Sequence, residues 1–551
     1  MKNFLLIFVM LVAMPVASHA QYVSKVWSPD LGNGYYKNPV IFADYSDPDV
    51  CAAGDDFFMT ASSFNCISGL PILHSKDLVN WQIVGYALQE NLPVEVYNKP
   101  CHGKGVWAPS IRYHNGEYYI YWGDPDYGIY MTKTKDPTGR WDTPVLVKAG
   151  KGMIDPCPLW DDDGKVYLAH AWAGSRAHFN SVITVMQLNA AGTEPVSKPV
   201  MVFDGNDGVN HTVEGAKFYK RNGYYYIFAP AGGVGQGWQL AMRSKNVFGP
   251  YQPRIVLAQG HSSINGPHQG AWVETTKGES WFIHFQDRGP YGRVIHLNPM
   301  KWVADWPVIG IDKDGDGCGE PVTRWRKPDV GRSWPVENPV ESDEFNSDTL
   351  GLQWEWHANY QDVYGFPSRY GFMRVYGHIL SPDYLNLWEV PNLLLQKFPA
   401  EEYTATAKMK VSAKDDGAQS GLIVMGWDYC CLAVRKEGDS FALNLVRCKD
   451  AEQGSPEMTT RLATINPTKK YEAGLTPNYE LEIYLRVKVD KGAVCHFSYS
   501  LDGHRYVPCG ESFQARQGKW IGAKVGIFST TPNGKERGWV DIDRFIVDKA
   551  S

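Results

Sequence analysis

The stretch "NGEYYIYWG", residues 115–123, contains the pattern that decides the fold. An Asn-Gly turn is followed at once by aromatic and β-branched residues, which is typical of the first hairpin of an antiparallel sheet. The pattern returns four times within the first 330 residues. The other copies are "GDDFFMTAS" at Gly54, "DGKVYLAHAW" at Gly164, "NGYYYIFAP" at Gly223 and "KGESWFIHF" at Gly278.

The spacing of these copies indicates one repeated unit of about 50–60 residues. Most copies are followed by a further strand-like run, such as "ILHSKDLVNW" or "LAMRSKNVFGPY". Five copies of a multi-strand unit predict a five-bladed β-propeller over residues 21–330. An array of β-sandwiches with accidental similarity is the alternative. Beyond the N-terminal leader, no stretch shows sustained helical periodicity, so the fold class is all-β.

A second domain follows a linker that is rich in proline and charge, "WRKPDVGRSWPVENPVES", residues 325–342. After it, alternating runs such as "YTATAKMKV" and "NYELEIYLRVKV" read as half-buried strands. We therefore predict that residues 341–551 form a β-sandwich domain of the jelly-roll, concanavalin-like kind.

The N-terminus is predicted to be a signal peptide, residues 1–20. Lys2 supplies the positive end, residues 4–16 form an apolar core too short to span a bilayer comfortably, and small residues precede a cleavage site before Gln21. A membrane anchor is the alternative. No later segment is long and apolar enough to span, so we expect a soluble exported protein with no membrane partner. The periplasm is the expected compartment, and secretion into the medium is the alternative.

Composition narrows the partners of the 551-residue chain. Its net charge of −6, with no basic stripe, argues against nucleic acid. Aromatic residues make up 13 %, which suits both β structure and surfaces on which sugars stack. The ten cysteines show no C-x-x-C spacing, and we expect mostly buried free thiols with one or two disulfides of undetermined pairing.

Three acidic residues occupy matching places in different copies of the repeat. Asp47 in "SDPDV", Asp155 in "MIDPCPLW" and Glu214 in "HTVEGAKFYK" each lie seven to nine residues upstream of a turn glycine. Equivalent positions of different blades converge on the propeller axis, so the three carboxylates should meet there. Any one of them alone would be read as structural. Together they suit glycosidic bond cleavage, which needs one protonated and one ionised carboxyl group.

With these motifs in place, the chain resembles glycoside hydrolase family 43 over nearly its whole mature length. The matching motifs occur in order: "NPVIFADYSDPDV", "SSFNCISGLPILHSKDLVNW", "GVWAPSIRYHNGEYYIYW", "MIDPCPLWDDDGKVYLAHAW", "VEGAKFYKRNGYYYIF", "NGPHQGAWV" and "YGRVIHLNP". The resemblance implies hydrolysis of arabinosides and xylosides with inversion. It also implies a deep pocket for one sugar, with the C-terminal sandwich packed against the propeller and helping to shape the pocket rim.

The resemblance assigns roles to the three carboxylates. Asp47 would be the general base that activates water, and Glu214 the general acid. Asp155 would tune the pKa of the acid and orient it. Inversion then requires the base and acid carboxyls to lie about 6.5–9.5 Å apart.

Other residues match family positions that contact substrate or metal. Arg293 in "YGRV" resembles an arginine that binds substrate hydroxyls, with a surface salt bridge as the alternative. Trp107 and Phe64 match aromatic pocket walls, with core packing as the alternative. His268 in "GPHQGAW" matches a histidine beside a calcium ion on the propeller axis, held mainly by water; a hydrogen-bonded core histidine is the alternative. No organic cofactor is expected.

A second calcium candidate is the stretch "DKDGDGCGE". Asp312, Asp314 and Asp316 copy the opening of a calcium loop, but Thr323 occupies the position of the closing glutamate and no helices flank the loop. We therefore favour a plain polar turn here.

The resemblance implies an exo-acting inverting hydrolase, and we expect it to release terminal α-L-arabinofuranosyl residues from plant cell-wall oligosaccharides. The parent polymer would be arabinoxylan, arabinan or xyloglucan, and the oligomeric state is left open. A β-D-xylosidase, or an enzyme with both activities, is the first alternative. A retaining fructan or sucrose hydrolase would need N-D-P-N, R-D-P and E-C motifs, where this chain has "SDPD", "IDP" and "VEG". A sugar-binding propeller without catalysis is a remote alternative.

Overall fold

A computed structural model describes residues 21–471 and 478–550, so the predicted signal peptide lies outside the described residues. Five antiparallel four-stranded sheets follow one another along the chain. The five-bladed propeller predicted from the turn repeats is confirmed. Strand β1 (Tyr35–Lys37) precedes the first blade.

Each blade is built from four consecutive strands. Blade 1 contains β2 (Asp49–Ala53), β3 (Asp56–Thr60), β4 (Gly69–Ser75) and β5 (Trp81–Leu88). Blade 2 contains β6 (Trp107–His114), β7 (Glu117–Asp124), β8 (Gly128–Thr134) and β9 (Val145–Ala149). Blade 3 contains β10 (Met153–Trp160), β11 (Val166–Trp172), β12 (Val182–Leu188) and β13 (Val200–Asp204). Blade 4 contains β14 (Lys217–Arg221), β15 (Tyr224–Ala231), β16 (Trp238–Ser244) and β17 (Gln252–Leu257). Blade 5 contains β18 (His268–Glu274), β19 (Ser280–Asp287), β20 (Arg293–Val303) and β21 (Trp306–Ile309).

The repeated glycines occupy the turn between the first two strands of every blade. Their φ angles lie between 63° and 82°, in the left-handed region that only glycine adopts without strain. The five glycines are Gly54, Gly116, Gly164, Gly223 and Gly278. The sequence pattern therefore marks each blade because this tight turn demands glycine.

The propeller is closed by its own N-terminal segment. Val40 donates its backbone N–H to Ile295 of β20 at 2.7 Å, and Ile295 donates in return to Ile41 at 3.0 Å. Strand β1 pairs with β22 (Arg324–Arg326), which follows the last blade. A shared core between blades 1 and 5 contains Phe57 and Trp281, both almost fully buried. The first and last blades are thus joined by hydrogen bonds and apolar packing.

The C-terminal domain is a sandwich of two sheets. The eight-stranded sheet contains β23 (Glu355–Trp356), β26 (His378–Ile379), β27 (Leu394–Lys397), β29 (Gln419–Met425), β30 (Tyr429–Glu437), β31 (Ser440–Cys448), β32 (Met458–Ile465) and β38 (Lys524–Thr531). The nine-stranded sheet contains β24 (Gly365–Ser368), β25 (Phe372–Tyr376), β28 (Tyr403–Ala413), β33 (Lys469–Tyr471), β34 (Asn478–Asp490), β35 (Val494–Ser500), β36 (Val507–Pro508), β37 (Phe513–Gln514) and β39 (Trp539–Asp548).

Alternation along the strands explains how the two sheets stack. In β28, Ala405, Ala407 and Met409 are buried in the core, whereas Thr406 and Lys408 between them are only half-buried. This period of two places one face against the facing sheet and the other toward solvent. The alternating runs read as half-buried strands in the sequence are confirmed.

The two domains are joined through a continuous interface. The backbones of Ile67 and Trp356 exchange two hydrogen bonds, of 3.1 and 2.6 Å. The backbone N–H of Gly522 donates to the carboxylate of Asp44 at 2.9 Å. Phe42 of the propeller belongs to the hydrophobic core of the sandwich. The sandwich is therefore fixed against the propeller.

Buried charges reinforce this interface. The carboxylate of Glu355 forms ion pairs with the ammonium groups of Lys397 and Lys524, and Lys524 also lies 3.1 Å from the Cys66 sulfur of the propeller. Burial opposes the ionisation of Glu355, but the two ammonium groups outweigh it and lower its pKa from 4.5 to about 2.

The remaining elements are short. They are α1 (Val94–Tyr97), α2 (Gly174–Ala177) and the 3₁₀ turns Gly289–Tyr291, Leu387–Glu389 and Ala451–Gln453. Among the described residues, none of the helices combines the length and apolar character needed to cross a bilayer. All ten cysteines fall within the described residues and are free thiols. The expectation of one or two disulfides is wrong, and the expectation of mostly buried thiols holds.

Candidate active site

The three predicted carboxylates line one cavity of about 100 Å³, to which all five blades contribute. Asp155 comes from the first strand of blade 3, whereas Asp47 and Glu214 come from the segments that enter blades 1 and 4. They meet because the first strands of neighbouring blades pack together at the centre of the propeller. The matching distances in sequence from the turn glycines therefore correctly indicated that the three carboxylates lie close together.

An unusual backbone conformation recurs at the cavity in every blade. Asp47, Ala108, Asp155 and Gln269 have φ angles of 56°, 32°, 55° and 39°, and Gly215 has 65°. At Ala108, Asp155 and Gln269 the register of the first hairpin also shifts, as at a β-bulge. Non-glycine residues in the left-handed region cost energy and cluster at functional sites. Here the residues with positive φ lie at the cavity, where this backbone conformation directs side chains toward it.

Asp47 is held by hydroxyl and guanidinium donors on both carboxylate oxygens. Ser46 and Ser62 donate to Oδ2 at 2.8 and 2.6 Å. Nη1 of Arg293 lies 3.3 Å from Oδ1 and donates to the Ser46 hydroxyl at 2.6 Å. This arrangement suits a carboxylate that accepts hydrogen bonds, which is the form a general base needs.

Asp155 is the most enclosed of the three carboxylates. Its side chain is almost fully buried, and Oδ2 accepts the backbone N–H of Gly215 at 2.6 Å. Burial, and next the neighbouring charge of Glu214, raise the pKa of Asp155 well above its usual value. Asp155 thus fixes the backbone next to Glu214 and interacts electrostatically with the Glu214 carboxylate.

Glu214 reaches toward the open side of the cavity. Its side chain is 34 % exposed, against 7 % for Asp47. Its Oε1 lies 3.0 Å from Nε2 of His268, a histidine that is almost fully buried. A carboxyl group at the mouth is placed to exchange a proton with a bound ligand. The contact with His268 fixes the side chain and was not anticipated from the sequence.

Both predicted wall aromatics line the cavity. Phe64 is buried and forms an antiparallel backbone bridge with Val106, which leads into blade 2. Trp107 is half-buried, and its indole N–H donates to the carbonyl of Gly103 at 2.9 Å. Arg293 also lines the cavity. It contacts Asp47 there, so the alternative interpretation of Arg293 as part of a surface salt bridge does not hold.

One wall residue comes from the sandwich and was missed in the sequence. Trp520 lines the cavity, and its ring centroid lies 6.0 Å from that of Trp107 at an angle of 72°. The guanidinium carbon of Arg293 lies 5.9 Å from the centroid of the Trp520 ring. Trp520 belongs to no repeat, so only the implied contribution of the sandwich to the pocket rim pointed toward it.

The surroundings of His268 fit a sparsely coordinated cation. Within the described residues, Nδ1 of His268 and Oε1 of Gln269 are buried and lack hydrogen-bond partners. Both residues line the cavity. One imidazole nitrogen and one amide oxygen cannot fill the six to eight positions of calcium, so water would supply the rest.

The acidic loop after blade 5 brings three carboxylates close together. The ligand atoms of Asp312, Asp314 and Asp316 lie within 4.8 Å of one another. Each of these carboxylates accepts a backbone N–H from the loop itself, for example Gly315 to Asp312 at 2.8 Å. The nearby carboxylate of Glu320 is paired with Lys313. These hydrogen bonds are those of a polar turn, but the clustered carboxylate oxygens are also able to hold a cation, so the favoured interpretation of a plain turn stays a prediction.

Comparison with known proteins agrees with the fold and the site. The model of glycosyl hydrolases family 43 matches residues 36–307, and the model of the β-xylosidase C-terminal concanavalin A-like domain matches residues 342–548. A putative β-xylosidase of Xylanibacter ruminicola is 36 % identical over 517 residues, covering 92 % of this chain and 88 % of the relative.

Two further comparisons extend this likeness. A non-reducing end α-L-arabinofuranosidase of Bacteroides ovatus is 29 % identical over 449 residues, covering 75 % of this chain and 79 % of the relative. The crystal structure of the GH43 protein BlXynB from Bacillus licheniformis superposes with a TM-score of 0.77 at 26 % identity, covering 94 % and 100 % of the two chains. Matching sequence, fold and domain order show that this chain is a glycosidase that belongs to glycosyl hydrolases family 43.

Proposed function

We propose that the protein is an exo-acting, inverting glycosidase that releases single pentosyl units, α-L-arabinofuranosyl or β-D-xylosyl, from the non-reducing ends of plant hemicellulose oligosaccharides. The observation that carries this proposal is the small cavity lined by Asp47, Asp155 and Glu214. Its volume of about 100 Å³ is well below the roughly 300–1,000 Å³ of pockets for drug-sized ligands. A cavity of this size suits a single terminal sugar better than the middle of a chain.

In the proposed reaction, Glu214 is the general acid. Its position toward the opening lets it protonate the glycosidic oxygen of the departing sugar chain. Asp155 positions it through the Gly215 N–H, and burial, together with the neighbouring charge of Glu214, raises the pKa of Asp155. Because interacting carboxyls titrate as a pair, a proton is retained between them to higher pH than by an isolated carboxyl group.

Asp47 is the proposed general base. Ser46, Ser62 and Arg293 fix its carboxylate, so that it can take a proton from the attacking water. Water would then attack the anomeric carbon from the face opposite the leaving group. This geometry needs about 6.5–9.5 Å between the carboxyls of Asp47 and Glu214.

The two candidate sugars, arabinofuranose and xylose, are supported equally well. The sequence analysis favoured arabinofuranose, and the Bacteroides ovatus relative carries that activity in its name. The Xylanibacter ruminicola relative is named a putative β-xylosidase. Because both pentoses present similar hydroxyl patterns to one pocket, we propose that both are accepted, and the preference for arabinofuranose stays a prediction.

Two companion proposals concern metal and location. A calcium ion beside His268 would be held by Nδ1, Oε1 of Gln269 and water, and it would add positive charge next to the carboxylates. Export to the periplasm stays a prediction, based on the interpretation of residues 1–20 as a signal peptide.

The test is to measure initial rates on 4-nitrophenyl α-L-arabinofuranoside and 4-nitrophenyl β-D-xyloside, and to identify the first-formed anomer by proton NMR. We expect turnover of at least one substrate and a product of inverted configuration. A retained configuration would overturn the assignment of Asp47 as base and favour a nucleophile. Absence of turnover on both substrates would favour the sugar-binding propeller.

A further inference from the structure

A second groove lies on the sandwich, on the face of the nine-stranded sheet that points away from the core. Its volume is about 730 Å³, within the usual range for ligand pockets. Its floor is formed by side chains of β28, β34 and β39, and its rim by the N-terminal segment around Lys25 and the loop around Tyr506. None of its lining residues lines the catalytic cavity.

The groove is positively charged on a protein whose net charge is −6. One carboxylate, Asp548, is found among its lining residues, where it pairs with Lys25 at 3.0 Å. A second, Asp543, lies beside the groove and pairs with Lys408 at 3.2 Å. The cations of the groove are Lys25, Lys408, Arg486, Arg544 and Lys549. Positive charge therefore remains in excess after both carboxylates are counted.

Two guanidinium groups in the groove are available to a ligand. Within residues 21–471 and 478–550, neither Arg486 nor Arg544 forms an ion pair with a carboxylate. Nε of Arg486 donates to the Thr406 hydroxyl at 2.9 Å, and its guanidinium carbon lies 3.4 Å from the centroid of the Tyr506 ring. These contacts hold Arg486 in place, so little side-chain entropy is lost when a ligand binds.

An unsatisfied hydroxyl marks the floor of the groove. Thr404 lines the groove and is only 7 % exposed, and its Oγ1 is buried without a hydrogen-bond partner among the described residues. A buried hydroxyl without a partner costs free energy. A ligand hydroxyl or a water molecule at this place would satisfy it.

From these observations we propose that the groove formed by Thr404, Thr406, Arg486, Tyr506 and Arg544 binds a sugar that bears a carboxylate, as in the uronic-acid side chains of plant cell-wall glycans. A guanidinium group donates two parallel hydrogen bonds to a carboxylate. Tyrosine rings offer the apolar faces on which sugar rings stack, and Thr404 offers a partner to a sugar hydroxyl. The choice of a plant glycan rests on the proposed function, whereas the preference for a carboxylate rests on the groove alone.

Such a site would hold an acidic oligosaccharide on the sandwich while its neutral ends are presented to the propeller. Linked sites of this kind raise the effective concentration of substrate without any change in the catalytic cavity. A nucleic acid fits less well, because the groove lies on one face of one domain and the flanking cations Lys410 and Lys488 are paired with carboxylates.

The test uses isothermal titration calorimetry on the full-length protein with Glu214→Gln, so that the ligand is not hydrolysed. The probes are a xylo-oligosaccharide that carries one 4-O-methylglucuronosyl unit and the unsubstituted oligosaccharide of the same backbone length. We expect the acidic probe to bind about 10-fold more tightly, the effect of one charge-assisted pair. Adding Arg486→Gln and Arg544→Gln should remove this advantage, and Thr404→Val should reduce it.

The matched control is Arg461→Gln, an exposed arginine on the other sheet. It should leave the affinity for the acidic probe unchanged. In the otherwise wild-type protein, Arg486→Gln with Arg544→Gln should keep the activity on nitrophenyl pentosides, which shows that the fold is intact. If this double variant does not fold, Thr404→Val with Lys549→Gln takes its place.

Three results would overturn the proposal: equal affinity for the two probes, equal weakening by the control variant, or equally tight binding of a polyphosphate. Failure of the proposed function is seen separately, as absence of pentoside turnover in the wild-type protein. Binding of the acidic probe by the groove can therefore stand or fall independently of catalysis.

Discussion

The backbone N–H of Gly215 donates a 2.6 Å hydrogen bond to Oδ2 of Asp155, and Gly215 directly follows Glu214 in the chain. Asp155 therefore acts on the proposed acid in two ways, by holding its backbone and by placing a carboxylate next to it. These two effects are separable, because asparagine keeps an oxygen acceptor for the Gly215 N–H and loses the charge.

The first prediction separates position from charge at Asp155. We expect Asp155→Asn to lower kcat/KM by about 10²–10³-fold, within the range of general acid catalysis, and Asp155→Ala to lower it further. The alkaline limb of the pH–rate profile should move to lower pH in Asp155→Asn, because the pair of carboxyls that retains a proton to higher pH is broken. Equal losses in both variants with an unmoved pH profile would reduce Asp155 to a purely structural role.

The ionisation of Asp155 should also lower the free energy of unfolding. Because burial raises the folded-state pKa of Asp155, its ionisation weakens the fold as pH rises above the unfolded value of 3.8. We expect Asp155→Asn to raise the free energy of unfolding at pH 7 by about 0.5–2 kcal/mol. Denaturant unfolding at pH 7 and pH 4 measures it, and the gain should shrink at pH 4. A gain that is the same at both pH values would show that ionisation is not its cause.

Much of the propeller could be predicted because one local constraint recurs in it. A tight turn with positive φ requires glycine, so Gly54, Gly116 and their equivalents mark every blade. The place of Asp47, Asp155 and Glu214 follows from the same periodicity. Their roles came from resemblance to a family, since spacing alone does not distinguish acid from base.

Contacts between distant segments could not be predicted. Trp520 enters the cavity from the sandwich, and no periodic signal relates it to any blade. The contact of His268 with Glu214 depends on how blades 4 and 5 are rotated against each other. The absence of disulfides among the ten cysteines likewise reflects distances in three dimensions, which sequence spacing does not give.

The second domain should contribute directly to substrate binding through Trp520. We expect Trp520→Ala to lower kcat/KM by about 3–10-fold, from the roughly 0.5–1.5 kcal/mol of one aromatic contact, mainly by raising KM. Stability should change little, since the side chain is 44 % exposed. Tyr370→Ala, a more exposed aromatic residue of the sandwich outside the cavity, is the matched control and should have wild-type kinetics. Unchanged kinetics in Trp520→Ala would remove the sandwich from the substrate site.

The buried ion pairs at the domain interface should be essential to the fold. Glu355→Gln leaves Lys397 and Lys524 facing each other without a counter-charge, and we expect a loss of about 3–5 kcal/mol at pH 7. Because the pKa of Glu355 is lowered from 4.5 to about 2, its stabilisation is complete above pH 4.5 and is lost as pH falls toward 2. Denaturant midpoints across this range measure the effect.

The control for this interface is Glu401→Gln, which breaks a more exposed ion pair with Arg288 and should cost less than about 1 kcal/mol. A similar cost in both variants would mean that the burial of Glu355 does not decide the strength of the interface.

The central claim is that Glu214 protonates the leaving group while Asp47 activates water. The direct measurement compares kcat/KM of wild type, Glu214→Gln and Asp47→Asn on two glycosides of the preferred pentose, a natural disaccharide and its 2,4-dinitrophenyl counterpart. The disaccharide needs a proton to depart, whereas dinitrophenolate departs without one. Glu214→Gln should lose about 10²–10⁴-fold on the disaccharide and far less on the dinitrophenyl glycoside, and Asp47→Asn should lose activity on both alike. Equal losses of Glu214→Gln on the two substrates would contradict its role as the acid.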